Sequence, residues 1–224
     1  MEHLTLVIPA KNEKESLPLV LKELEKYKLN IIIVLEKEDT ETIQSISNFN
    51  CKLVFQEKKG YGAALIEGIH KVETKFFCIF NADGSFNPKE LVNMLSLIKN
   101  NNADFVFASR YEKNCSSDDD TIITLVGNFI FTKIGNIFFS LRITDILYTF
   151  VLGSTDKFKK LDILSHNFSF CVEFPIKANW KKNKLLTSKS HERARIGGEK
   201  KVNAFKDGFL ILVSMIKLFF KFKF

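Results

Sequence analysis

Leu4-Thr5-Leu6-Val7-Ile8-Pro9-Ala10-Lys11-Asn12-Glu13 is the stretch whose reading decides the fold. Residues 4–8 form a short apolar, partly β-branched run, and the polar residues that follow close it, so the segment reads as a buried strand. Four further runs repeat this pattern downstream, at 30–35, 52–55, 76–80 and 104–108. Between them, 13–27, 40–47, 60–72 and 88–100 carry apolar residues at helical spacing, with Pro88 behind a capping Asn87 at the start of the last. Strands alternating strictly with helices predict an α/β fold with a mostly parallel sheet flanked by helices and right-handed crossovers.

Beyond the fifth run come an acidic loop at 116–120, a helical stretch at 121–140 and a helix at 170–179. No internal repeat or low-complexity linker divides the chain. The expected organisation is one domain over 1–203 and a C-terminal amphipathic helix over 204–224. In that helix Phe205, Phe209, Val213, Ile216 and Phe220 are expected to fall on one stripe, with Lys206, Lys217 and Lys221 on the opposite arc. Lys217 interrupts the apolar run, so the segment is expected to lie on a membrane rather than cross it.

Charge is unevenly spread: 177–224 holds 13 Lys and Arg against 3 Asp and Glu, whereas the rest is slightly acidic. A basic end on an acidic body predicts a local anionic partner, such as a phosphate ligand or an anionic membrane surface. Nucleic acid would explain the basic end but not the acidic loops, and is not expected. The four cysteines are scattered without metal-ligand spacing and read as reduced thiols. Met1-Glu2-His3 does not resemble a secretion signal, so the expected location is cytoplasmic, on the inner face of the membrane.

In open α/β sheets, ligands bind beyond the carboxyl ends of the strands. Those ends carry Pro9-Ala10-Lys11-Asn12-Glu13, Glu36-Lys37-Glu38-Asp39, Asn81-Ala82-Asp83-Gly84-Ser85 and Ser109-Arg110-Tyr111. Turn formation alone would account for any one of these clusters. Four at one sheet edge point instead to a site where carboxylates and Arg meet, which suits a metal-bound diphosphate.

At this point the sequence resembles family 2 glycosyltransferases. Ile8-Pro9-Ala10-Lys11-Asn12-Glu13, Lys59-Gly60-Tyr61-Gly62-Ala63-Ala64, Asn81-Ala82-Asp83-Gly84-Ser85, Ala108-Ser109-Arg110-Tyr111 and Arg193-Ala194-Arg195-Ile196-Gly197-Gly198-Glu199-Lys200-Lys201 stand in the family's order. The nearest branch resembles dolichyl-phosphate mannose synthase and bacterial polyprenyl-phosphate glycosyltransferases. The resemblance implies a Rossmann-like GT-A fold, a nucleotide-diphosphate sugar donor, a divalent metal (Mg or Mn) and inversion at the anomeric carbon. It also implies a lipid-linked or saccharide acceptor and work on cell-envelope polysaccharide. Carried over residue by residue, it puts Pro9, Asn12, Glu13, Asp39, Lys59 and Gly60 around the nucleotide and Asp83 and Asn81 at the metal. Arg110, Arg195 and Lys201 would face phosphates.

The chain departs from the family pattern at three places. Asn81 stands where the family has the first Asp of Asp-x-Asp, which predicts weaker metal binding. Glu36-Lys37-Glu38-Asp39 replaces an acidic Asp-Asp-Gly-Ser run. Val151 stands where the phosphate-acceptor enzymes carry Arg, in the stretch from Asp145. A hydroxyl acceptor would need a carboxylate base, for which Asp145 is the candidate, with Glu173 behind it; a helix cap explains Asp145 equally well, and a surface position suits Glu173 better. Trp180 reads as a half-buried anchor. Rival readings are a catalytically silent membrane-surface scaffold, kept open by Asn81, and a nucleotidyltransferase, which would place a Gly-rich loop after the first strand.

Overall fold

The structure is a computed structural model describing residues 2–198 and 201–223. In chain order the elements are β1 (Leu4–Pro9), α1 (Leu17–Leu24), β2 (Asn30–Leu35), α2 (Thr40–Ser45), β3 (Lys52–Phe55), α3 (Tyr61–His70), β4 (Phe76–Ile79), α4 (Glu90–Asn100) and β5 (Phe105–Ser109). They continue with β6 (Ser116–Ser117), α5 (Ile122–Phe139), β7 (Val151–Ser154), α6 (Thr155–Lys159), α7 (Phe170–Trp180), β8 (Leu185–Lys189), β9 (His191–Glu192) and α8 (Ala204–Lys223). The five strands read from the sequence are all present. Glu199 and Lys200 of the C-terminal basic motif lie outside the described residues.

One seven-stranded sheet runs in the order β3-β2-β1-β4-β7-β5-β8. Every pairing is parallel except those of β7, which lies antiparallel between β4 and β5. Alternation along the strands feeds two cores. Val7, Ile32, Phe77 and Phe105 face one layer, packed with α3, α5, α7 and α8. Leu6, Ile8, Ile33 and Cys78 face the other, under α1 and α4. Both faces are buried, which is why these strands read as continuous apolar runs.

The differences from the sequence reading have local causes. Helix α1 starts at Leu17 rather than residue 13, because Asn12 is left-handed (φ 53°) and 13–16 form a turn. Helix α4 starts at Glu90; Asn87 Oδ1 accepts the Lys89 N–H in a turn that uses Pro88 before the helix begins. Strands β7 and β8 of the same sheet were not among the runs read from the sequence. Glu173 is buried rather than on the surface: its carboxylate accepts the Leu164 and Ser165 N–H groups and pairs with Lys177 at 2.6 Å. Trp180 is half-buried against Phe139, as expected.

Helix α8 docks on α5 and α7 through Ile211, Met215 and Leu218, and Ser169 Oγ donates to the Leu210 carbonyl at 3.2 Å. Phe205, Phe209, Ile216 and Phe220 point outward. Val213 is half-buried, and Lys206, Lys217 and Lys221 border the exposed stripe.

Candidate active site

A cleft of about 430 Å³ opens at the carboxyl ends of β1, β4 and β5. The antiparallel sense of β7 matters here: it brings Tyr148 and Thr149, which precede it, to the same edge. The cleft is lined by eight residues singled out from the sequence: Pro9, Glu13, Gly60, Asn81, Asp83, Arg110, Arg195 and Lys201. Gly60 holds φ 118° with the His166 carbonyl where a Cβ would sit, so only glycine fits that start of α3.

Four residues fall elsewhere. Asp39 accepts the Asn12 N–H at 2.7 Å and the Thr42 N–H, capping α2 and tying down the loop after β1. Asn12 and Lys59 are exposed and outside the cleft lining, and the half-buried Asp39 is outside it too. Asp145 lies beneath the cleft with its side chain wholly buried.

Asp83 closes a compact turn after β4. Its Oδ1 accepts the Ser85 N–H at 3.0 Å and the Ser85 hydroxyl at 2.7 Å, and Asn81 Nδ2 donates to that hydroxyl. Its other oxygen faces Arg195 Nη2 at 3.7 Å. Arg195 also forks onto both Asp119 oxygens at 3.2 Å. Lys201 Nζ stands 3.9 Å from the Glu13 carboxylate, which accepts the Ser16 hydroxyl at 2.5 Å. Burial raises the pKa of Glu13; Ser16 and Lys201 offset only part of that. The strand of chain 193–198 is held across the cleft by the Ile196 N–H to Asp83 carbonyl bond (2.7 Å) and by Arg193, which forks onto Glu23.

Arg110 is the hub of the opposite wall. Its Nε and Nη2 donate to Asp145 at 2.8 and 3.0 Å, and Nη1 donates to Asp120 at 3.3 Å and Glu192 at 2.9 Å. Asn128 Nδ2 donates to Asp145 at 2.6 Å, and Tyr111 donates its hydroxyl to Asp120. Burial works against the Arg110 charge, but Asp145 and Glu192 outweigh it and its pKa is raised further. Three carboxylates surround this one guanidinium, so a phosphate there would meet net negative charge. Arg110 therefore organises the wall, and the expected phosphate contact is not what this arrangement offers. Asp145 accepts from Arg110 and Asn128 in a dry pocket and lacks the open lone pair of a general base.

The sequence reading passed over Asp119, Asp120, Asn128 and Glu192. The acidic loop was visible in the sequence, but its role depends on the β6–β9 pairing, Ser116 with His191, across 75 residues. Tyr61 and Phe168 stack at 4.9 Å, and with Leu147 and Cys171 they make one end of the cleft apolar. Burial pushes the Cys171 thiol up to about 12, which rules it out as a ready nucleophile.

Among the described residues no three His, Cys, Asp or Glu side chains converge as a metal cage. Asp83 and Asn81 both line the cleft and each carries a hard oxygen, as the sequence reading expected of a metal-binding pair. Such a set fits Mg²⁺ or Mn²⁺ that takes its remaining ligands from a diphosphate and water.

Residues 5–162 match the family model for Glycosyl transferase family 2, and the chain belongs to that family. It is similar to the low-salt glycan biosynthesis hexosyltransferase Agl6 of Haloferax volcanii, 25% identical over 92% of this chain and 51% of that protein. An uncharacterized glycosyltransferase of Mycobacterium tuberculosis is 29% identical over 41% of this chain and 42% of its own length. The chain thus spans about half the length of the curated relatives it matches. Among solved structures, mannosyl-3-phosphoglycerate synthase from Rubrobacter xylanophilus superposes with a TM-score of 0.77 at 13% identity, over 98% of this chain and 74% of the other. Glucosyl-3-phosphoglycerate synthase from M. tuberculosis, solved with Mn²⁺, UDP-glucose and phosphoglyceric acid, gives 0.71 at 12% identity, over 97% and 80%. The fold is accordingly the GT-A fold of these enzymes.

Proposed function

We propose that this chain is a glycosyltransferase domain that moves a hexosyl group from a nucleotide-diphosphate sugar to a lipid-linked acceptor, with inversion at the anomeric carbon. The observation that carries this reading is the placement of Asp83 at the carboxyl end of β4, with Arg195 3.7 Å away and Lys201 beside Glu13 in the same cleft. A carboxylate for a metal and two mobile cations for phosphate oxygens are what a leaving nucleotide diphosphate requires. Family membership and the Mn²⁺- and UDP-sugar-bound solved structures of the same fold support the donor class.

Asp83 and Asn81 would hold a divalent metal, whose chemistry is to offset charge building on the diphosphate as the sugar–oxygen bond breaks. Arg195 would exchange Asp119 for a phosphate oxygen, and Lys201 would exchange Glu13. An acceptor oxygen then forms the new bond at the anomeric carbon, and the nucleotide diphosphate leaves. Asp145, Asp120 and Glu192 are all engaged by Arg110, so none of these three is free to deprotonate a sugar hydroxyl.

The outward phenylalanines of α8, bordered by Lys206 and Lys217, support work on an anionic membrane surface. Thermal shift and donor hydrolysis with UDP-, GDP- and dTDP-sugars, with and without Mn²⁺, test the donor reading. Stabilisation by one nucleotide series that Mn²⁺ enhances is expected; no response to any of them would overturn it.

A further inference from the structure

Helix α5, like α8, leaves many large apolar side chains exposed. Ile122 is 84% exposed, Ile137 70% and Phe129 60%, and Leu125, Val126, Ile130 and Phe138 are also largely open. Monomeric soluble proteins rarely leave so large a contiguous apolar patch uncovered. The two helices lie side by side and run in the same sense. Gly208 of α8 sits at the Phe131 ring of α5, and further along Phe219 packs on Phe138 at 5.7 Å and on Phe139 at 6.2 Å. Their outward stripes therefore join into one face.

Charge identifies what covers that face. Helix α5 contains no Asp or Glu, and the one acid of α8, Asp207, is half-buried and accepts the Asn203 N–H at 2.7 Å. Among the described residues the exposed lysines of the two helices are Lys133, whose Nζ lies 5.4 Å from the centre of the Phe129 ring, together with Lys206, Lys217 and Lys221. A long lysine lying over a phenylalanine, as Lys133 lies over Phe129, suits a headgroup boundary, where the stem is buried and the ammonium stays in water. A second copy of the chain would bring these lysines against each other with no carboxylate on the face to balance them.

By length and composition α5 could cross a membrane. Its inner face argues otherwise, because Thr132 Oγ1 accepts the Ile146 N–H, and Asn128 bonds Leu147 and Asp145. It is fixed to the domain on that side and open on the other.

We infer that α5 and α8 together form a two-helix face that docks flat on an anionic lipid monolayer. Thr124 and Asn128 of α5 line the cleft, as does Val202 just before α8, so both helices start at the cleft. Docked this way, the cleft lies at the headgroup level, and the headgroup of a lipid-borne acceptor reaches it without leaving the monolayer. The inference rests on the membrane-surface part of the proposed function and is independent of the donor chemistry.

The test is flotation of the full chain with vesicles of phosphatidylcholine mixed with phosphatidylglycerol, against pure phosphatidylcholine. Binding to the anionic vesicles is expected, and Phe129→Glu/Ile137→Glu in α5 should weaken it at least about tenfold, since two large apolar side chains no longer enter the lipid. The melting temperature and a monomeric mass by light scattering should not change. If that variant binds as well as the wild type while Phe209→Glu/Ile216→Glu does not, α8 docks alone and the two-helix inference is wrong. If the wild type fails to bind anionic vesicles, the membrane reading falls with it. A wild-type dimer that the α5 variant makes monomeric would assign the face to a second copy and also overturn the inference.

Discussion

Arg110 Nε donates to Asp145 Oδ2 at 2.8 Å, and the Asp145 side chain has no solvent exposure at all. The pair joins β5 to the loop before β7, and through Asn128 it reaches α5. Its geometry makes Asp145 a positioning residue for the cleft wall.

Asp145→Asn should therefore act on stability. The amide keeps the shape but turns an NH2 toward the Arg110 and Asn128 donors and leaves buried N–H groups without an acceptor, at a cost of about 2 kcal/mol, or roughly 5 °C in melting temperature. Rescaled to the folded fraction, the pH dependence of transfer should match the wild type. An unchanged melting temperature with turnover abolished would restore Asp145 as the general base.

Asp83→Ala should lower transfer on the order of 10²-fold or more with little change in melting temperature, because the proposed function makes Asp83 the carboxylate that holds the metal of a bound diphosphate. Asn81→Asp should tighten Mn²⁺ binding, since a carboxylate binds a hard cation better than an amide. Equal or weaker Mn²⁺ affinity by titration would remove Asn81 from the metal site.

Replacing Arg195 with Ala should weaken donor affinity and turnover, and Lys201→Ala should do the same. Both side chains are partly exposed, at 24% and 35%, and their ion pairs add little to the fold. A large loss of melting temperature with normal kinetic constants would make them structural instead.

Glu173→Gln should destabilise the chain by about 3 kcal/mol near neutral pH, because it leaves Lys177 buried beside a neutral amide. Burial alone would raise the Glu173 pKa, but Lys177 and the Ser165 N–H outweigh it and the pKa is lowered from 4.5. The stabilisation is thus present above the ordinary value and lost as pH falls through the lowered one. Denaturation curves of the wild type and the variant should converge in acid, once the pH is below the lowered Glu173 pKa; a gap that persists unchanged in acid would refute the ion-pair account.

The five parallel strands, the family motifs and the apolar stripe of α8 were all legible in the sequence, because each is written in neighbouring residues at a fixed period. Those signals located Asp83, Glu13, Gly60, Arg195 and Lys201 at one cleft. What the sequence could not supply was the partnering of charges. Whether Arg110 meets a phosphate or three carboxylates depends on residues 10, 35 and 82 positions away, and no local pattern records that choice. Glu173 looked like a surface acid because nothing nearby in sequence reveals that Leu164 and Ser165 fold back to cover it. The role of α5 was hidden for the same reason. Its residues are apolar on nearly every side, and only packing against α8 and the 145–147 loop decides which of them face the core and which are left open.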